Sequence, residues 1–427
     1  MSHRRLVPAV LVVALLVAAA CGQKSGVEGT ETAVAADGGG GGGDTGGGGG
    51  EREPGENDTA GITDTEIVIG IHAPVTGASP IPQETFDIGK DIFWNFLAAT
   101  NPEALGGRTV RVVFRDDEFN PNRAVQVCRE MVEEEGAFLL VGAAGADQIT
   151  ACAQYADEND IPYLSLGVNT EGLEGLGTYF AASLTYEQQN AIVIDQIEAA
   201  GAEKVGVVVI DTPSFNGAHD DFVDRAEEAG LDLVVDDVIS KTAGESEAAA
   251  EAQELKNADA EIVYVLLPPT VYLSLAAAGR NQSFEPVFVG PGVTNGLNAV
   301  TRFGCPNVAN GQFLSPFPEL DVINEIEPDY IPAYEQFGGG TTPDDIGLAL
   351  WGLNETLFLM FEATGPELGR AAFMNAIEAG ETFEAGIFPP ITYSTDDHFG
   401  GSGAYLLAAD CSIDQYTTDG ELIEVDD

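Results

Sequence analysis

Ile62-Thr63-Asp64-Thr65-Glu66-Ile67-Val68-Ile69-Gly70-Ile71 is the stretch whose reading decides the fold. A strand with one wet face alternates apolar and polar residues. Here the run from Ile67 to Ile71 has no polar side chain, which marks a strand buried on both faces, as in parallel sheets covered by helices. The same signature recurs outward along the chain at 109–115, 138–142 and 161–166. A second series follows at 204–210, 231–239, 261–267 and 286–290. Between these runs lie helical patterns at 124–134, 187–200, 218–229, 245–257 and 271–278, the last expected to close at Gly279. Strands alternating with helices, joined by right-handed crossovers, build doubly wound α/β layers. About four such units, an extended run near 177–182 and about four more make two similar lobes with a cleft between them. The last third is mostly helix (347–364 and 366–379), and its β segments are expected to complete both lobes.

Upstream of this body the chain changes character. Arg4 and Arg5 precede an apolar run at 6–17, too short to span a bilayer comfortably, which ends in Ala18-Ala19-Ala20-Cys21-Gly22. A cysteine directly after small residues resembles the lipobox of bacterial lipoprotein signals, with Ala18 where leucine is usual. That resemblance implies a leader at 1–20 and a lipid on Cys21, placing the protein outside the cytoplasm and on the cell membrane. Residues 21–61 then read as a tether, with glycine tracts at 38–43 and 46–50. A flexible coil of about 40 residues has an r.m.s. span of roughly 35 Å. No later run reaches 18 apolar residues, so no other bilayer span is expected.

The net charge is −53, and loss of Arg4 and Arg5 with a leader makes it more negative still. Lysine occurs only at 24, 90, 204, 241 and 256. That balance excludes nucleic acid as a partner and argues against electrostatic attachment to anionic lipid. Carboxylates scattered along the helical stretches fit either a saline environment or a surface kept acidic for solubility. With Cys21 assigned to lipid, four cysteines remain: Cys128, Cys152, Cys305 and Cys411. Outside the cytoplasm they read as two disulfides with three possible connectivities. Their places in the chain favour Cys128–Cys152 and Cys305–Cys411. The four histidines and these cysteines show no zinc spacing, and no metal or cofactor is expected.

The opening stretch, followed by Ala73-Pro74-Val75-Thr76-Gly77, resembles the start of type I periplasmic-type solute-binding proteins of the leucine/isoleucine/valine-binding group. Further matches follow in order: Asp117, Asn120-Pro121 and Ala124; Leu140-Val141-Gly142 with Thr150 and Pro162; Phe215-Asn216-Gly217; and Phe288-Val289-Gly290-Pro291. The resemblance covers about residues 62–415. It implies two parallel-sheet lobes joined by three crossovers, near Ala182, Ser315 and Ser402. The first lobe would hold 62–184 and 314–402, the second 185–313 and 403–427. It also implies a monomeric receptor that closes on a small molecule and delivers it to an ABC permease, with no catalytic residues.

The ligand set is carried over by motif. Ligands of the family lie at C-terminal strand ends and helix N-termini, where backbone N–H groups are free to hold an acceptor. In the first lobe this implies Ala144, Gly145, Ala146, Asp147 and Gln148, and then Gly167, Asn169 and Thr170. Ala146 and Asn169 stand where amino-acid binders carry serine and threonine. His72, Ser79 and Gln83 could reach the cleft from the opening loop. In the second lobe the resemblance implies Phe215, Asn216, Pro268, Tyr272, Gly292 and Asn295. Gly292 occupies a position that is acidic in binders of α-amino acids, where it pairs with the ammonium group. A buried ammonium without a partner is costly, so the expected ligand is amino-acid-like, an amide or an organic acid.

An exported enzyme is the first rival, but G-x-G-x-x-G outside the glycine tract, G-x-S-x-G and H-E-x-x-H are absent. A tethered sensor signalling through a membrane partner is the second, because the same fold serves both roles.

Overall fold

The computed structural model describes residues 51–292 and 296–425. The leader, Cys21, the glycine tracts and Asn295 lie outside them. From the start of the described chain the order is β1 (Glu66–Ala73), α1 (Gln83–Thr100), β2 (Thr109–Asp116), α2 (Pro121–Glu133), β3 (Leu139–Gly142), α3 (Ala146–Asp157), β4 (Tyr163–Ser165) and β5 (Tyr179–Ala181). These five strands form one wholly parallel sheet in the order β2-β1-β3-β4-β5. Central β1 is buried along nearly its whole length, whereas β2 at the edge carries Arg111 and Arg115 and is only partly buried.

The second sheet follows α4 (Tyr186–Ala200). Its elements are β6 (Lys204–Ile210), α5 (Asn216–Glu228), β7 (Asp232–Ile239), α6 (Glu245–Asn257), β8 (Ile262–Leu266), α7 (Pro269–Asn281), β9 (Val287–Pro291), α8 (Asn298–Gly304) and β10 (Gly311–Ser315). Then come α9 (Ile323–Ile326), α10 (Tyr330–Phe337), α11 (Asp345–Thr364), α12 (Arg370–Ile377), β11 (Ala379–Phe383), β12 (Ile391–Ser394), β13 (Gly403–Asp410), β14 (Gln415–Thr417) and β15 (Leu422–Glu424). The second sheet runs β14-β13-β10-β9-β8-β6-β7, with β15 also paired to β13. It is parallel from β7 to β10 and antiparallel beyond, at β13, β14 and β15.

The late β segments serve both lobes. β13–β15 extend the second sheet, whereas β11 and β12 form a hairpin whose Phe383, Ile391 and Tyr393 pack in the first lobe's core, and the first sheet gains a parallel bridge, Ala181 to Phe399. The chain passes between the lobes after β5, after β10 and between β12 and β13. Helix α11 is long and apolar enough to cross a membrane, but most of it is buried in the first lobe, where Trp351, Leu357 and Phe361 join Phe93 and Trp94 of α1. Helix α7 also departs from expectation, running through Gly279 instead of ending there. A Cβ at Gly279 would stand 2.8 Å from the carbonyl oxygen of Phe284, so the glycine admits a close backbone approach.

Composition places residues 51–61 in the tether; the structure lays them against the first lobe. Arg52 donates to the Gly177 carbonyl at 2.7 Å and to Glu378 at 2.5 Å, where His398 Nε2 also lies within 3.1 Å. Asp58 caps α12, its carbonyl and its carboxylate accepting from the amides of Arg370 and Ala371 at 2.8 Å each. Capping and ion pairing hold this segment without an apolar run, which is why composition misses it. Disulfides join Cys128 to Cys152 and Cys305 to Cys411, with Cα separations of 6.2 and 5.5 Å, one within each lobe.

Candidate functional site

A cavity of about 110 Å³ lies between the lobes. The first lobe contributes Pro74, Ser79, Pro80, Ile81, Phe86, Phe119, Ala143, Ala144, Gly145, Ala146 and Leu166. The second contributes Tyr186, Ile210, Phe215, Leu267, Pro268, Pro269 and Leu297, and α11 closes one wall with Ile346, Ala349, Leu350 and Leu353. Among these described residues none is charged; Ser79 and Tyr186 supply the polar side-chain atoms. Tyr186 meets Phe215 edge-on at 5.4 Å, and burial raises its phenol pKa.

The two lobes present unlike helix ends to this space. Helix α3 starts behind Gly145, whose φ of +88° turns the chain, and no side chain caps it. The first-turn N–H groups of a helix have no internal acceptor and carry the positive end of its dipole. They are therefore open to an anionic or carbonyl oxygen. Helix α7 starts at Pro268-Pro269, which lack N–H groups, and the amides of Val271 and Tyr272 both turn back to the Pro268 carbonyl at 3.0 Å. Apart from the Tyr186 hydroxyl, the second lobe thus offers apolar surface, and the first offers backbone donors.

Of the residues singled out from the sequence, Ser79, Ala144, Gly145, Ala146, Phe215 and Pro268 line the cavity. Others serve the scaffold or the lobe contact. His72 is fully buried behind the wall, its Nδ1 2.8 Å from Asp117 and its Nε2 2.7 Å from the Tyr163 hydroxyl. The sulfurs of Cys128 and Cys152 lie beside it, but both are oxidised in a disulfide, so the trio offers no thiolate to a metal. Asp147 crosses to the second lobe, accepting from Thr212 Oγ1 at 2.5 Å, with Lys241 Nζ at 3.9 Å. Thr170 also crosses, its amide and hydroxyl donating to Glu187 at 3.2 Å.

Gln148 is buried but does not line the cavity, Gln83 is exposed at the start of α1, and Asn216 begins α5. Gly167 packs on the crossover: its amide donates to Ser183 Oγ at 2.8 Å, and a Cβ there would fall 2.2 Å from the Ser183 carbonyl oxygen. Asn169 is buried, donating to the Glu171 carbonyl at 2.5 Å. Tyr272 lies in the core of the second lobe, its ring 5.3 Å from those of Phe288 and Phe313. At Gly292 a Cβ would stand 2.2 Å from Phe313 Cβ, so packing excludes a side chain of any charge. The sequence reading did not identify the α11 wall: that helix is apolar on nearly every face, and no periodic stripe separates lining from core.

The periplasmic binding protein family model matches residues 66–415. The chain is similar to an amino acid binding protein of Pseudomonas aeruginosa, 26% identical over 312 residues, which covers 70% of this chain and 79% of that protein. It also resembles a fatty acid ABC transporter substrate-binding protein from Thermomonospora curvata, with a TM-score of 0.73, 16% identity, and 86% and 94% of the two chains covered. A third resemblance is to a solute-binding protein of an ABC transporter from R. palustris in complex with benzoate, with a TM-score of 0.68, 19% identity, and 84% and 97% coverage. At these identities the two solved structures establish a common fold.

Proposed function

The chain belongs to the periplasmic binding protein family, and we propose that it is a lipid-anchored receptor of an ABC importer that traps a small apolar carboxylate between its lobes. The observation that carries this reading is the interlobe cavity, uncharged throughout its described lining and mostly apolar, with an uncapped helix end on one side. An engineered apolar cavity of ~150 Å³ takes up a benzene ring. A cavity of about 110 Å³ therefore suits a compact aromatic or branched aliphatic body. Burying ~150 Å² of such a ligand contributes roughly 4 kcal/mol before association costs are subtracted.

The carboxylate would accept from the first-turn amides of α3. A ligand ammonium would meet no acid among the described lining residues, and an unpaired buried charge costs several kcal/mol. Two of the similar proteins fit such chemistry, since benzoate and fatty acids pair an apolar body with a single acid group, whereas the Pseudomonas aeruginosa relative is an amino acid binding protein. Cys21 would fix the chain to the membrane beside a permease, and the glycine tracts would give it reach. A thermal-shift screen of small organic acids, amides and amino acids tests the reading. Stabilisation by at least one apolar acid is expected, and stabilisation by α-amino acids alone would overturn it.

A further inference from the structure

Asn298, the first residue of α8, joins three parts of the molecule at one buried point. Its amide donates to Asp345 Oδ2, at the start of α11 in the first lobe, at 2.5 Å. Its side-chain N–H donates to Glu319 Oε2, on the segment that leaves β10 for the first lobe, at 2.7 Å. Its side-chain oxygen accepts from the Tyr416 amide of β14, in the second lobe, at 2.5 Å. All four residues are at most 2% exposed. Asn298 is thereby anchored in one lobe while it grips two carboxyl groups of the other. Both lie directly behind the cavity, whose wall includes the neighbouring Leu297 and Ile346.

Among the described residues no cation pairs with either carboxyl. The Asp345 Oδ1 atom accepts from the Ile346 amide at 3.1 Å, and Glu319 Oε1 finds no hydrogen-bond partner among the described residues. The charged neighbours that act on them, Asp344 and Asp321, are acidic; the nearby hydroxyls are those of Tyr330 and Tyr416, and Arg302 acts on Asp344. We propose that Asn298, Glu319 and Asp345 form a proton-linked clasp, so that closing the cleft takes up protons and acidification favours the closed form. This rests on the reading that the lobes part and close.

The sign follows from the environment. Burial, then the Asp344 charge, pushes Asp345 up to about 7, and burial, then Asp345, holds Glu319 well above the usual carboxylate range. Parting the lobes wets both groups and returns them to about 4. Between about pH 4 and 7 Asp345 is therefore protonated when closed and ionised when open, and Glu319 shifts in the same direction. Each such proton shifts the closed-to-open ratio about tenfold per pH unit, toward closed as pH falls.

The test is hydrogen exchange on the full chain without ligand, following the amides of Asn298 and Tyr416 after correction for intrinsic exchange. Protection is expected to fall at least tenfold for each pH unit raised between about 5 and 6, Asp345 alone supplying that factor and Glu319 adding to it, while small-angle scattering reports a larger radius of gyration. Glu319→Gln keeps the acceptor and fills the orphaned position with an amide, and should flatten the slope; Asp345→Asn is the second variant. Protection independent of pH in the native chain, or an unchanged slope in both variants, overturns the clasp. Because no ligand is used, failure here leaves the solute-binding reading intact, and failure of a ligand screen leaves the clasp intact.

Discussion

Replacing Gly292 by aspartate puts back the acidic side chain that the family resemblance associates with amino-acid binding. The structure predicts that it will damage the second lobe without creating an ammonium site. The new Cβ would sit 2.2 Å from Phe313 Cβ, 2.8 Å from its Cγ and 3.0 Å from its Cδ1, whereas carbon atoms prefer separations of ~3.5–4.0 Å. Phe313 would have to retreat by more than an ångström. It is fully buried, edge-on to Tyr272 at 5.3 Å and Tyr416 at 6.2 Å, and its strand is paired on both sides.

Overpacking of this kind costs roughly 1–3 kcal/mol, and each kcal/mol lowers Tm by ~2–4 °C in a domain of 150–250 residues. A fall of roughly 2–12 °C by calorimetry is therefore expected for Gly292→Asp. Gly292→Ala should show most of it, because the Cβ does the damage. Phe313→Leu should relieve part of the loss, since the two positions are in contact. An unchanged Tm in Gly292→Asp, or newly acquired binding of valine or leucine, would refute the argument from packing.

Asp58→Ala removes the side-chain acceptor for the Ala371 amide at the start of α12 and should cost ~1 kcal/mol; limited proteolysis is expected to cut within 51–61 sooner than in the native chain. Cys21→Ser should release the protein from the membrane fraction without changing what it binds, and a variant that stays in that fraction contradicts the lipid anchor. With a net charge of −53, the melting temperature should rise between low and high salt as self-repulsion is screened; a flat response would assign the acidity to solubility alone.

The parts of the fold legible in the sequence are those where burial acts on every residue of an element. β6 is apolar over nearly its whole length between charged ends, and its observed bounds, Lys204–Ile210, match the run read from the sequence. Helix α6, Glu245–Asn257, is equally plain, opening on Gly244 with Glu247 reaching back to its amide at 3.0 Å. What stayed hidden depends on partners distant in the chain. Residues 51–61 look like tether until Arg370, Asn375 and Glu378 are brought to them, more than 300 residues away. Gly279 reads as a helix end because glycine commonly follows one, yet its reason is the Phe284 backbone. His72 reads as a ligand contact because it ends a strand; only the fold shows that Asp117 and Tyr163 enclose it. The α3 end of the cavity follows from local order, whereas the α11 wall comes from a helix about 200 residues further on.

Titration calorimetry on acids and their α-amino counterparts tests the central claim most directly. 3-Methylbutanoate against valine, 4-methylpentanoate against leucine and 3-phenylpropanoate against phenylalanine differ within each pair only by the ammonium group. An apolar cavity with donors from α3 and no acid among its described lining residues predicts that the acid binds more tightly in each pair that gives a signal. Tighter binding of the amino acids, or no binding by any acid, would contradict the account.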